Sequence, residues 1–322
     1  MKLMEAVPNV SEGRRPDVIA EIARRVRAVP GASLLHIDSN ADANRTVFTV
    51  AGKPQAVRRA AFALLQAAAE HIDMRTQRGA HPRLGATDVC PFVPLAGMTL
   101  TEAAEEAERL AQEAAQKLGL PVYLYEANAH TPERKNLAFI RRGEYESLPQ
   151  KLAELPPDLG PRAFSPDVAK TGATVIGARN FLIAFNVSLN TRDVAAAKEI
   201  AAVLREKNGG LPAVKAIGWL MPGYDCAQVS FNLTDYQKTG LAAVREAAKQ
   251  QAEKRGLAVT GSELIGLAPE EALLNAGRFY APGLTDKTAL LKTAVRELGL
   301  NKIRPFDFRE RILEYLLFIK RL

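Results

Sequence analysis

With 322 residues, 47% of them hydrophobic and 25% charged, the chain has the composition of a folded globular protein and the length for two domains, each with its own core. No stretch approaches the roughly 20 apolar residues of a membrane helix, and residues 1–8 lack the apolar segment and cleavage site of a secretory signal. The expectation is a soluble, cytoplasmic protein with no membrane partner. Lysine and arginine (43) outnumber aspartate and glutamate (36), and the resulting +7 suits an anionic partner such as a polycarboxylate, a phosphate or a nucleic acid.

Residues 3–9 read as a short apolar strand ending in the polar turn Val7-Pro8-Asn9-Val10-Ser11-Glu12-Gly13. Pro16 stands at the favoured first position of a helix whose inward face is Ile19, Ile22, Ala23, Val26 and Val29. Residues 33–38 and 45–52 read as a hairpin around a polar loop, and Pro54 opens a second helix striped by Val57, Ala60, Ala61, Leu64, Ala68 and Ile72. Residues 88–94 supply a fourth strand. This βαββαβ order is that of a ferredoxin-like unit, one antiparallel sheet with both helices on one face. A third helix is bounded by the capping box Thr99/Glu102 and by Gly119, and residues 121–125 read as another strand.

From 128 to 170 the pattern loosens, and the proline-rich passage 155–166 predicts the connection between a domain of residues 1–172 and one of residues 173–322. The second half is predicted to begin with one long strand over 173–189. A helix from Thr191 to Asn208-Gly209-Gly210, a hairpin of 214–221 and 227–233, a helix ending at Gly256 and a strand over 257–264 complete a second βαββαβ unit. Further helices are expected near Glu270, Asp286 and Arg309. The fold class expected is α/β (α+β), two ferredoxin-like subdomains side by side with a ligand cleft or tunnel between them.

The four histidines, His36, His71, His81 and His130, are too scattered for a local metal signature, so no metal is expected. His36 in a strand and His71 at a helix end suit structural roles. His81 differs, because Arg78-Gly79-Ala80-His81-Pro82-Arg83-Leu84-Gly85 sets one imidazole between two arginines and two glycines, with Pro82 favouring extended backbone before it. It is either a presented catalytic side chain or a plain surface loop residue. Asp38 and Asn44-Arg45-Thr46 flank one hairpin loop, where Asp38, Asn40 and Asp42 suit turn hydrogen bonds as well as function. Arg45, Arg78 and Arg83 are carboxylate forks if their loops converge, and solvated surface cations if they do not. Cys90 and Cys226 lie in apolar runs without partner cysteines and read as buried reduced thiols. Dinucleotide GxGxxG spacing, a P-loop and a GxSxG elbow are absent.

Several segments together resemble the glutamate formiminotransferase family: Val7-Pro8-Asn9-Val10-Ser11-Glu12-Gly13, Asn44-Arg45-Thr46-Val47, the run from Gly79 through His81 to Phe92, Pro121-Val122-Tyr123-Leu124-Tyr125, Arg142-Gly143-Glu144-Tyr145, and the run from Gly177 to Asn186. The resemblance extends from Glu5 to about Tyr315, in a stand-alone form without the cyclodeaminase domain of the animal relatives, so cyclisation of the product is expected from another protein. It implies transfer of the formimino group from N-formimino-L-glutamate to N5 of tetrahydrofolate, giving 5-formiminotetrahydrofolate and L-glutamate in histidine degradation and one-carbon metabolism. Tetrahydrofolate is then a co-substrate, no metal is needed, and the assembly is a homodimer. The family's catalytic histidine falls on His81, whose ordinary pKa of about 6.5 suits a proton shuttle. The folate segment falls on residues 160–172, placing Gly160, Pro161, Phe164, Pro166, Lys170, Thr171 and Gly172 as folate-binding residues. Asp38 is expected to orient the imidazole or meet the amidinium, and Asn9, Asn44, Arg45 and Arg83 to bind glutamate. Two rivals stand beside this reading. One is a same-fold enzyme that passes a formyl group from 5-formyltetrahydrofolate to glutamate. The other is a non-catalytic RNA binder, against which stand the low aromatic content (6%) and the missing RNP1-type motif.

Overall fold

Residues 2–322 are described by a computed structural model, and they separate after Asn180 into two units, each with its own sheet and core. In the first unit, Met4–Ala6 (β1) and Asn9–Val10 (β2) are two pieces of the expected first strand. Pro8 interrupts it because it has no N–H for a ladder bond. Pro16–Arg27 (α1) follows, then the hairpin Ala32–Asn40 (β3) and Arg45–Gly52 (β4), the helix Pro54–His71 (α2) and the strand Thr87–Pro94 (β5). β3 pairs with β4, and β4 and β5 flank β1 and β2, all antiparallel.

Leu100–Leu118 (α3) is capped as the sequence predicts, with Thr99 and Glu102 bonded reciprocally and Gly119 left-handed at φ 62°. Val122–Leu124 (β6) comes next. The short helices Leu137–Ile140 (α4), Leu148–Glu154 (α5) and Pro166–Thr171 (α6) lead to Thr174–Ala178 (β7). β7 lies parallel between β5 and β6 and so extends the first sheet.

Two expectations are corrected here. The proline-rich passage is no inter-domain connection: the Tyr123 hydroxyl donates to the Leu155 carbonyl at 2.8 Å and the Val122 N–H to the Leu159 carbonyl at 2.9 Å, which line it along β6 inside the first unit. The single strand over 173–189 is two strands in two sheets, and the units divide between Asn180 and Phe181 rather than between residues 172 and 173. Both strands are apolar, so their composition does not mark the change of sheet.

Side chains on one face of the first sheet, among them Met4, Ala6, Phe48, Val50 and Phe92, share a core with α1, α2 and α3. Strand alternation puts Asn9, Asp38 and Arg45 on the opposite face, beside Val47 and Asn40 in the register.

The second unit runs Ile183–Leu189 (β8), Val194–Leu204 (α7), Val214–Met221 (β9), Cys226–Leu233 (β10), Leu241–Glu253 (α8) and Val259–Ile265 (β11). Its sheet is antiparallel in the order β11-β8-β10-β9. Phe185, Val187, Val229, Phe231 and Leu264 point into the core, so Ser188, Gln228 and Glu263 lie on the other face. Glu270–Tyr280 (α9), Lys287–Leu298 (α10) and Leu313–Ile319 (α11) follow. Cys90 and Cys226 are free and buried, and burial pushes both thiols upward.

Candidate active site

A close approach of two loops makes the site. The turn between β3 and β4 ends at Asn44, which is left-handed at φ 46°. Its side chain accepts the Gly13 N–H at 3.0 Å and donates to the Arg78 carbonyl at 2.9 Å and to Gln77 Oε1. Gln77 in turn donates to the buried Glu12 carboxylate at 3.1 Å. Ala80 N–H bonds the Asp42 carbonyl at 2.9 Å and His81 N–H the Ala43 carbonyl at 3.4 Å. Only glycine permits this contact, because a Cβ on Gly79 would stand 2.3 Å from the Ala43 carbonyl oxygen.

The clip brings His81 to Arg45, the first residue of β4. Arg45 Nη1 lies 2.8 Å from His81 Nε2 and 3.0 Å from Asn9 Oδ1. Asn9 is fixed from its other end by a 2.8 Å bond to the Val7 carbonyl. Asp38, buried on β3, faces Arg45 electrostatically. Burial pushes Arg45 down to about 10, and Asp38 partly offsets this. Burial, followed by the charges of Arg45 and Arg141, holds the His81 imidazole well below the usual histidine value.

Arg141, at the end of α4, comes from a region that residue chemistry had not marked. Its guanidinium grips the Asp88 carboxylate at 2.5 and 3.2 Å, and the same carboxylate accepts the Leu84 N–H at 2.9 Å. Lys151 pins the turn that carries Arg141, bonding the carbonyls of Ile140 at 2.7 Å and Arg142 at 2.5 Å, while burial lowers its own pKa to about 8. Asp88 thus holds the loop from its strand, as its place in the motif suggests, while Glu12, Gln77, Arg141 and Lys151 are supports of the site that the sequence reading missed. Each joins segments far apart in the chain, and no local spacing marks such a residue.

The residues expected to act on the imidazole or on glutamate divide into three groups. His81, Asp38, Asn9 and Arg45 converge. Asn44 lies beneath them with both ends of its amide engaged. Arg83, expected to clamp a substrate carboxylate, is buried against the protein's own: it bonds Glu146 at 2.6 Å, Glu144 at 3.2 Å and the Gln77 carbonyl at 2.9 Å. Its fork is already filled.

The segment 160–172 borders the far end of the same loop. Gly160 and Gly172 are left-handed, at φ 82° and 68°, and a Cβ on Gly172 would stand 2.4 Å from the Leu84 carbonyl oxygen. Pro166 opens α6 under a Ser165 cap, and the Thr171 carbonyl accepts the Ala86 N–H at 2.7 Å. Lys170 donates to the Glu70 carbonyl at 3.0 Å. Phe164 stays 39% exposed, with its ring tilted against Tyr145. Among the described residues no three metal-ligating side chains converge, and no helix is long and apolar enough to cross a membrane.

The chain belongs to the formiminotransferase family. Residues 3–179 match the formiminotransferase domain, N-terminal subdomain, and residues 184–318 match the formiminotransferase domain. It is similar to the glutamate formimidoyltransferase of Streptococcus pyogenes serotype M1, at 39% identity over 97% of this chain and 98% of that protein. The glutamate formimidoyltransferase of Thermoplasma acidophilum is 40% identical over 87% of this chain and 92% of its own length. The formimidoyltransferase-cyclodeaminase of Sus scrofa is 45% identical over 98% of this chain, and the chain spans 60% of that protein's length.

Proposed function

We propose that the chain is a glutamate formimidoyltransferase, moving the formimino group of N-formimino-L-glutamate to N5 of tetrahydrofolate. The observation that carries this reading is an imidazole held 2.8 Å from a half-buried guanidinium on the sheet face away from the helices, with the buried Asp38 and Asn9 beside them, in a chain of this family. In the reaction N5 loses a proton as its bond to the amidine carbon forms, and the glutamate nitrogen gains one as its bond breaks. Neutral His81 takes the first proton and delivers the second, so one group serves both steps.

Arg45 meets a carboxylate of the donor, Asn9 holds the guanidinium, and Asp38 balances its charge or meets the amidinium. Asn44 and Arg83 act one layer back, holding the loop that presents His81. Residues 160–172, with Gly160, Pro161, Phe164, Pro166, Lys170, Thr171 and Gly172, form the folate-binding edge. Support comes from the two left-handed glycines and the half-exposed Phe164 ring. Each unit is a ferredoxin-like βαββαβ repeat, a reading supported by the equivalent strand orders β3-β4-β2-β5 and β9-β10-β8-β11.

Turnover of His81→Ala with both substrates saturating is the test. Loss of the proton shuttle lowers the rate by about 10² to 10⁴. Turnover within a few-fold of the parent removes His81 from the chemistry.

A further inference from the structure

A guanidinium has hydrogens to give and no lone pair to receive one. The 2.8 Å contact between Arg45 Nη1 and His81 Nε2 therefore fixes the roles: Nε2 accepts, and the neutral ring carries its hydrogen on Nδ1. Nε2 is the one basic position of this ring, and Arg45 covers it.

Three arginines stand around the loop, and they differ in what they hold. Arg83 is filled by Glu144 and Glu146, and Arg141 by Asp88. Arg45 hydrogen-bonds two neutral acceptors, Asn9 Oδ1 and His81 Nε2, with Asp38 facing it only electrostatically. A carboxylate is a stronger partner for a guanidinium than a neutral imidazole, by roughly a factor of two in hydrogen-bond strength. Arg45 is the one of the three with a stronger partner still to gain.

We propose that Arg45 is a carboxylate-sensing cap on the His81 base. Without the donor it occupies Nε2; a carboxylate of formiminoglutamate draws the guanidinium off and frees that nitrogen to accept the proton leaving N5. The proposal rests on the formimino-transfer reading, and within it assigns Arg45 a role in timing as well as binding. The charged groups facing His81 are Arg45 from β4 and Arg141 from the turn after α4, with Asp38 on β3 and Asp88 on β5 as their counter-ions. Neutralising Arg45 with a substrate carboxylate strengthens the base just when it is needed. Premature protonation from solvent is suppressed while the site is empty.

The test uses the full chain labelled with ¹⁵N-histidine, with His81 assigned by comparison with His81→Gln. In the free protein the His81 Nε2 resonance is expected to be that of an unprotonated acceptor. Saturating L-glutamate, the probe, raises the His81 titration midpoint by roughly one pH unit. Arg45→Met produces the same rise without glutamate, and glutamate then adds nothing. In turnover, Arg45→Met raises KM for formiminoglutamate on the order of tenfold or more, and the acid limb of the kcat/KM profile moves to higher pH. Arg45→Lys, which keeps charge and donor, restores the lowered midpoint. A midpoint unchanged by both Arg45→Met and glutamate overturns the cap, even where His81→Ala is inactive and the base assignment stands. An active His81→Ala overturns the base assignment, and the titrations still report whether Arg45 covers Nε2. If Arg45→Met does not fold, Arg45→Lys and the glutamate titration of the parent decide the matter.

Discussion

On the sheet face away from the helices, the first unit sets two guanidiniums against one imidazole, whereas the second unit surrounds one carboxylate with donors. Glu263 there accepts from Tyr224 at 2.9 Å and Gln228 at 2.8 Å and pairs with Arg304 at 3.4 Å; Gln228 also donates to Ser188 at 3.0 Å and accepts from Trp219 at 3.2 Å. Four strands of the first sheet, β3-β4-β2-β5, run in an order equivalent to β9-β10-β8-β11 of the second, so that order does not explain the contrast. The second network is closed, each polar group answered by another, which is how burial of a carboxylate is offset. At His81 like charges crowd a neutral ring, a placement that weakens the folded state and makes sense as preparation for an anion.

The largest effect should come from opening the closed network. Glu263→Ala removes the carboxylate that Arg304, Gln228 and Tyr224 share, and denaturant unfolding should report a loss of about 3–5 kcal/mol. A loss below about 1 kcal/mol would mean the network is loose, and the contrast with the first unit would fail.

In the first unit, Asp88→Ala strands Arg141 and the Leu84 N–H together, for about 2–3 kcal/mol of stability by the same measurement. It also leaves Arg141 unbalanced, so the His81 midpoint should fall further. A midpoint that stays put would show that Arg141 does not act on the ring.

Asn44→Ala removes three hydrogen bonds and asks alanine to adopt φ 46°, a cost of about 1–3 kcal/mol. Asn44→Gly separates the two causes, since glycine accepts the backbone but not the bonds. Equal losses in the two variants would show that the backbone conformation contributes little.

The smallest effect is a slope. His81 is depressed in the folded chain, so between its native pKa and the ordinary value of about 6.5 the unfolded chain holds more protons. Stability is therefore complete above about 6.5 and is lost as pH falls below it, by up to roughly 1.4 kcal/mol per pH unit. Comparing unfolding of the parent and His81→Gln between pH 7 and 5 isolates this slope, which the variant should lack. Parallel curves would mean that the ring is not held neutral.

Much of the fold was legible. The Thr99/Glu102 capping box, the proline starts of α1 and α2 and the hairpin of β3 and β4 depend on residues a few positions apart, so spacing alone reveals them. The change of sheet between β7 and β8 was not, because two buried apolar strands read as one. The proline-rich passage misled because proline marks the absence of a ladder, and that occurs inside a unit as readily as between units. At the site, residue chemistry left His81 undecided and the family resemblance singled it out. Arg83 looked the equal of Arg45 until the fold supplied it with Glu144 and Glu146.

The sequence by itself determined the family, the two βαββαβ orders and the loop from Arg78 to Gly85 that carries the imidazole, because each is written in local pattern or in motif. Tertiary structure alone decided which nitrogen of His81 faces Arg45 and which arginines are filled by the protein's own carboxylates. Those facts depend on partners 36 residues apart for Arg45 and His81 and 53 apart for Asp88 and Arg141. Distances of that kind exist only once the chain has closed on itself.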